Sequence, residues 1–141
     1  MYEKSLIIFK PDAVQRQLTG RILQRFEDAG IKIHALNLQN ADRAQAESHY
    51  DEHKDKPFFS MVVDYICSGP VLVVVFGGLG CISKIRSMVG ATEPAEALPG
   101  TIRGDFAHQV MIKGGDDPLY NLIHASAHAE DAEREIKIWF A

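Results

Sequence analysis

Cysteine is scarce in this sequence, which contains only Cys67 and Cys81. Two separated thiols make neither a disulfide framework nor a CxxC pair, so a small disulfide-stapled secreted domain is excluded. Both cysteines stand among apolar residues, and we expect them to be buried thiols in a reducing compartment.

Long apolar runs are also missing. The longest covers residues 71–76, whereas a membrane-spanning helix needs about 20 apolar residues. The first residues lead straight into a strand-like segment, so no signal peptide is expected. These features favour a cytoplasmic protein without a membrane partner.

Positive charge is not in excess, because 15 Lys and Arg stand against 19 Asp and Glu, for a net charge of −4. A specific nucleic-acid partner is therefore not expected, and any anion must be held locally by a few Lys and Arg. Repeats, linkers and low-complexity segments are absent too. The 141 residues predict one domain, 1–141, which buries roughly 68% of its unfolded surface.

Apolar periodicity predicts interleaved strands and helices. The predicted strands are 5–9, 31–35 with a phase shift at Leu36 and Leu38, 70–76 ended by Gly77, and a run ending at His124. The predicted helices are 19–30 capped by Thr19, 43–54 capped by Asp42, a short one from Pro57, 81–89, and a last one starting between 126 and 129. Residues 91–105 are predicted to be an irregular loop, and 114–118 a turn. This order favours an α+β fold, the ferredoxin-like βαββαβ four-stranded antiparallel sheet with helices on one face plus additional helices. A small doubly wound parallel sheet is the alternative.

His124 lies where a predicted strand gives way to a helix, a place where a backbone is fixed and a side chain is free. Near pH 7 an ordinary imidazole, with a pKa of about 6.5, offers a lone pair for attack. A histidine buried in the core is the competing interpretation. Glu135 flanks the inner face of the last helix, so we expect it to be partly covered and to need a partner.

For the other candidate residues, a purely structural interpretation stands beside the functional one. Lys10, at the end of the first strand, points into a cleft or is simply solvated. One of Phe58 and Phe59 stacks on a base, or both lie in the core. His49 and His53 share a helix face, but without HExxH or a nearby third ligand a polar face is favoured over a metal pair. Thr92 and Arg103 lie in the irregular loop and are candidate phosphate contacts.

Seven blocks of the sequence resemble the nucleoside diphosphate kinases. They are 7–14 (IIFKPDAV), 26–31 (FEDAGI), 49–59 (HYDEHKDKPFF), 68–71 (SGPV), 86–94 (RSMVGATEP), 99–106 (PGTIRGDF) and 121–124 (NLIH). They follow the family order and cover nearly the whole chain. The resemblance implies a ferredoxin-like enzyme that moves the γ-phosphate of a nucleoside triphosphate to a nucleoside diphosphate. It further implies ping-pong kinetics through a phosphohistidine, Mg²⁺ carried on the nucleotide, and a homo-oligomer, either tetramer or hexamer.

The resemblance also implies roles for single residues. His124 is the nucleophile, with Glu135 on its second ring nitrogen, Ser126 supporting that carboxylate and Tyr50 beside the ring. The nucleotide contacts are Lys10 on the γ-phosphate and ribose, Arg86, Thr92 and Arg103 on the phosphates, Asn121 on the ribose, Phe58 on the base with Val62 beside it, and His53 near the phosphates.

The sequence departs from the family after the histidine, where Gly-Ser-Asp-Ser is usual and Ala125-Ser126-Ala127-His128 is present. The segment between Phe106 and Asn121 is also several residues longer. A change in metal dependence or rate is one expected consequence. A catalytically weak or inactive nucleotide-binding interaction module is the alternative function.

Overall fold

A four-stranded antiparallel sheet with the order β2-β3-β1-β4 organises the chain. The computed structural model describes residues 1–109 and 117–140. The strands are β1 (Tyr2–Phe9), β2 (Lys32–Asn40), β3 (Pro70–Leu79) and β4 (Ile123–Ala125). The α+β prediction is thus confirmed, and the parallel-sheet alternative is wrong because every strand pair is antiparallel.

Seven α-helices lie within the described residues. They are α1 (Pro11–Gln15), α2 (Thr19–Asp28), α3 (Arg43–His49), α4 (Phe59–Ile66), α5 (Cys81–Val89), α6 (Ile102–Phe106) and α7 (Ala129–Phe140). Short 3₁₀ helices cover Asp51–His53 and Pro94–Glu96. Among these helices, none has both the length and the apolar content that crossing a membrane requires.

Helices cover both faces of the sheet, whereas one face was predicted. Successive side chains of a strand point to opposite faces, so β1 contributes to two cores. Ile7 and Phe9 pack with α2, α5 and α6, while Leu6 and Ile8 pack with α3, α4 and α7. All four side chains are fully buried, which explains why β1 is a continuous apolar run rather than an alternating one.

β3 differs from the prediction because it runs through Gly77 and continues to Leu79. A Cβ at Gly77 would collide with the His34 ring and lie 2.7 Å from the Tyr2 hydroxyl. Gly77 therefore makes room for two neighbouring side chains instead of ending the strand. An irregularity in β2 is present as predicted, but its register shift lies between Ile33 and Ala35, before the predicted position at Leu36 and Leu38.

The helix ends agree with the predicted caps and bounds in part. Asp42 caps α3 as predicted, in a capping box with Gln45, but the helix ends at His49. Thr19 is the first residue of α2 and makes no side-chain cap, so that cap was wrong. α1 directly follows β1 and was not predicted, and α6 begins within the predicted loop. The predicted turn at 114–118 lies mostly outside the described residues.

Candidate active site

His124 is held on β4, where it pairs with Ile8 of β1. Its Nε2 atom lies 3.0 Å from Oε1 of Glu135, which α7 supplies. An ionised carboxylate only accepts hydrogen bonds, so in the neutral ring Nε2 carries the proton and Nδ1 keeps the lone pair. The side chain of His124 is 22% exposed, and the ring is therefore open to a ligand.

Glu135 is fixed behind the histidine by several groups. Ser126 donates a hydrogen bond of 2.7 Å to its Oε1, and Arg134 lies 4.0 Å from its Oε2. Burial alone would raise the pKa of this carboxyl, but the hydrogen bond and charge of His124, with Ser126 and Arg134, bring it below its ordinary value. The carboxylate is thus ionised near neutral pH and can stabilise a positively charged ring. The expectation that Glu135 needs a partner is confirmed.

His49 packs directly against the candidate nucleophile. The two imidazole centroids are 4.5 Å apart at 83°, and Nδ1 of His49 accepts a 3.1 Å hydrogen bond from Trp139. Burial, followed by the charge of His124, lowers the pKa of His49 well below 6.5, so this ring stays neutral. His49 was predicted only to lie on a polar helix face, without a role in the site. Its position beside Tyr50 in the motif was the available signal.

Tyr50 extends this group of rings. It stands edge-on to His49 at 4.8 Å, and burial together with Glu135 raises its pKa to about 12. His53 instead packs against Phe58, with ring centroids 5.4 Å apart. The two histidines therefore have different environments. His49 is buried among other rings, whereas His53 packs against the exposed ring of Phe58.

His49, His124 and Glu135 bring potential metal-ligand atoms within 4.8 Å of one another. Hydrogen bonds already account for the arrangement, because Trp139 occupies Nδ1 of His49 and Glu135 bonds His124. Two imidazoles suit zinc or copper better than Mg²⁺, which prefers oxygen ligands. This cluster is a hydrogen-bonded support for His124.

Cationic side chains surround the turn that precedes His124. Lys10 donates a 2.8 Å hydrogen bond to Oδ1 of Asn121, whose Nδ2 donates to the carbonyl of Thr92 at 3.0 Å. Arg103 donates to the carbonyls of Asn121, Ile123 and Gly90, at 3.1, 2.6 and 3.1 Å. Arg86 reaches the carbonyl of Ala125 at 3.3 Å. The fold thus gathers Lys10, Arg86, Thr92, Arg103 and Asn121 around β4.

The cations weaken one another's charged forms. Burial, followed by the charge of Arg103, lowers the pKa of Lys10 to about 8. Burial, followed by the charge of Arg86, lowers the pKa of Arg103 to about 10. A bound anion would relieve this mutual repulsion, and shifts of this kind concentrate at functional sites. The electrostatics therefore favour a polyanionic ligand.

Phe58 occupies the exposed start of α4, where 39% of its surface is accessible. Its ring contacts His53 and lies 5.8 Å below the ammonium of Lys56. Phe59 packs against the core instead. Of the two adjacent phenylalanines, Phe58 is the one free to stack on a base.

The departures after His124 are accommodated within the fold. The methyl of Ala125 is buried opposite Ile7. Ala127 and His128 line a cavity of about 770 Å³ together with Arg86 and Ser87. Half of the longer segment before Asn121, residues 110–116, lies outside the described residues.

Comparisons with known proteins find matches that span nearly the whole chain. A family model described as "Nucleoside diphosphate kinase" matches residues 3–141. A nucleoside diphosphate kinase of Methanothermobacter thermautotrophicus is 54% identical over 138 residues, 98% of this chain and 87% of the relative. One from Thermus thermophilus is 49% identical, over 98% of this chain and 95% of the relative.

Solved structures match equally well. A Borrelia burgdorferi nucleoside-diphosphate kinase, described as a transition-state mimic with bound vanadate and ADP, superposes with a TM-score of 0.94 at 39% identity, covering 99% of this chain and 88% of that one. A Halobacterium salinarum nucleoside diphosphate kinase in complex with CDP gives 0.89 at 40% identity, with the same coverage. The likeness therefore spans nearly the whole chain in both sequence and fold.

Proposed function

The chain belongs to the nucleoside diphosphate kinase family and has its phosphotransferase activity, and from that membership we propose that His124 is the nucleophile that carries the phosphoryl group. One observation carries the proposal. The hydrogen bond from Nε2 to Glu135 leaves Nδ1 with a lone pair, on a partly exposed ring beside three cations. His124, Glu135 and the cationic side chains of Lys10, Arg86 and Arg103 lie around β4, which favours this proposal over the inactive-module alternative.

The proposed reaction has two halves. In the first, the lone pair of Nδ1 attacks the γ-phosphorus of a nucleoside triphosphate, and the bond to the bridging oxygen breaks with its electrons leaving on the diphosphate. The ring becomes positively charged, and Glu135 stabilises it through Nε2. In the second, a terminal oxygen of another nucleoside diphosphate attacks the same phosphorus, and the N–P electrons return to Nδ1. This is the ping-pong scheme.

Phosphoryl transfer depends mainly on positioning and charge neutralisation. Lys10, Arg86 and Arg103, with Thr92, are proposed to hold the phosphates. Arg103 uses three of its N–H donors on carbonyls, so its guanidinium is oriented before a ligand arrives. Tyr50 is proposed to restrict the His124 ring from the side of His49.

Kinases of this class work on nucleotides complexed with a divalent metal, and we propose Mg²⁺. The donor set fits a metal that arrives on the phosphates, because three cations would repel one held by protein side chains, and Mg²⁺ prefers oxygen ligands and substrate phosphates. The ion would neutralise phosphate charge. It requires no ligand from the protein.

The proposed partners are nucleoside triphosphates and diphosphates. Phe58 would stack on the base, and Asn121 with Lys10 would contact the ribose. Every base has a π-face, and two relatives bind ADP and CDP, so we propose broad base tolerance. A single domain over 1–141, a tetrameric or hexameric homo-oligomer and a cytoplasmic location complete the proposal.

The nucleophile is tested by incubating the protein with γ-labelled ATP and Mg²⁺. Wild type should acquire an acid-labile, base-stable label that a nucleoside diphosphate removes. His124→Ala should acquire none, while the exposed His108→Ala serves as a matched control and labels normally. Glu135→Gln should label about 10–100-fold more slowly, by analogy with the cost of losing a partner that orients a metal-bound histidine. Unlabelled wild type, or normal labelling of His124→Ala, would refute the assignment.

A further inference from the structure

Leu122 adopts a backbone conformation that leucine rarely takes. Its φ is +72°, in the left-handed region, and its side chain is fully buried. Such a residue persists only where the surroundings hold it in place, and strain of this kind gathers at active sites. Leu122 stands two residues before His124, directly after Asn121, so its conformation sets the direction in which β4 presents the nucleophile.

Hydrogen bonds to the backbone hold this turn. The N–H of Leu122 donates to Oδ2 of Asp12 at 3.1 Å, and its carbonyl accepts from the N–H of Lys10 at 2.8 Å. Arg103 bonds the carbonyls on either side, those of Asn121 and Ile123. Among these groups, the Asp12 carboxylate is the side chain that fixes the N–H of the strained residue.

Asp12 also connects the turn to α4. Its Oδ1 accepts a 2.5 Å hydrogen bond from the hydroxyl of Tyr65, and its own N–H donates to that hydroxyl at 3.0 Å. The ring of Tyr65 stands edge-on to Tyr120, 5.4 Å away and just before the turn. Because α4 begins beside Phe58, one carboxylate joins the turn before His124 to the helix of the candidate base contact.

We propose that Asp12 is a positioning residue of the reaction, whose carboxylate holds Leu122 in the left-handed conformation and, through Tyr65, keeps the turn in register with α4. The inference rests on the proposed role of His124. It assigns no contact between Asp12 and the nucleotide. Asp12 acts through the turn on Nδ1 and through α4 on nucleotide binding.

The charge of Asp12 has a second effect on the same site. It raises the pKa of Lys10 and of Arg103, partly opposing the burial that lowers both. Loss of the carboxylate would therefore lower the pKa of Lys10 and Arg103 further and would also release the turn at Leu122. A residue that only filled space would do neither.

Two variants separate these effects. Asp12→Ala removes the support of Leu122 and should slow single-turnover labelling of His124 about 100-fold, the loss that a 1 Å misplacement can produce. Tyr65→Phe keeps the Asp12–Leu122 bond and should raise KM for the nucleotide by a larger factor than it lowers kcat. The exposed Asp28→Ala and Tyr2→Phe are matched controls. Thermal unfolding of each variant reports on folding.

Leu122→Gly supplies the decisive comparison, because glycine adopts a positive φ without steric cost. In the Leu122→Gly background, Asp12→Ala should reduce the labelling rate by a clearly smaller factor than in wild type, a coupling that a double-mutant cycle measures. Equal factors in the two backgrounds would overturn the proposal, as would wild-type labelling by Asp12→Ala. If Asp12→Ala does not fold, Asp12→Leu replaces it in the same cycle, because leucine has a similar branched shape and no acceptor for the N–H of Leu122. Failure of the His124 assignment is distinct, since it would appear as unlabelled wild type or as normal labelling of His124→Ala.

Discussion

Lys10 illustrates how a single buried charge limits the conditions under which the site works. An ordinary lysine has a pKa of about 10.4 and stays charged at any physiological pH. Burial and the neighbouring Arg103 lower the pKa of Lys10 to about 8. Its positive charge, which attracts phosphate, is therefore lost within an accessible pH range.

We predict that kcat/KM for ATP falls as pH rises through about 8. Lys10 is protonated below its pKa and neutral above it, so the attraction for phosphate is present on the acid side and lost on the alkaline side. Since kcat/KM reports the free enzyme, the fall should reflect the value without nucleotide. Lys10→Arg keeps its charge and should move the fall to higher pH. A profile that stays flat from about pH 7 to about pH 10 would contradict the prediction, and so would an unchanged profile for Lys10→Arg.

Some residues of the candidate site can be predicted from the sequence and others cannot. Lys10, Arg86 and Asn121 stand in recognisable blocks, and the fold brings them to one side of β4. His49 and Asp12 were passed over as site residues because their importance depends on tertiary partners, Trp139 and Tyr65. These partners are distant in the sequence, so no local pattern predicts either hydrogen bond.

Helices and strands with a full period of pattern were predicted well. α5 was predicted within its observed bounds, since nine residues are enough to show an apolar face. α1 and α6 have five residues each, too few for a period of 3.6 to be visible. β3 continues beyond its predicted end because Gly77 makes room for the side chain of His34. That contact lies across the sheet, so the pattern along the chain does not reveal it.

The N-cap of α3 gives a prediction that concerns stability alone. Asp42 accepts a 3.0 Å hydrogen bond from the N–H of Ala44, and loss of such a cap costs about 0.5–2 kcal/mol. Asp42→Ala should therefore lower the free energy of unfolding by about 1 kcal/mol in urea titrations followed by Trp139 fluorescence. Asp42→Asn should retain most of it. The labelling rate of His124 should not change in either variant, and a large loss of labelling would show that α3 is coupled to the site.

At the scale of the whole molecule, the sheet leaves one long edge uncovered among the described residues. β2 is the outer strand beside β3 and spans nine residues, and Leu36 and Leu38 are 47% and 60% exposed on it. Unpaired strand edges readily pair with another chain. The sequence pattern predicted β2 but not its place at the edge, because the order of strands is set only in the assembled sheet.

We predict that, in the proposed homo-oligomer, copies of this chain meet at the β2 edge. Leu38→Asp places a charge on that surface, and burying an unpaired charge is strongly unfavourable, so light scattering should give this variant a smaller mass than wild type. Leu79→Asp is the matched control, because Leu79 is 80% exposed at the end of β3 and its variant should keep the wild-type mass. An unchanged mass for Leu38→Asp would place the contact elsewhere. A monomeric wild type would remove the homo-oligomer from the proposal altogether.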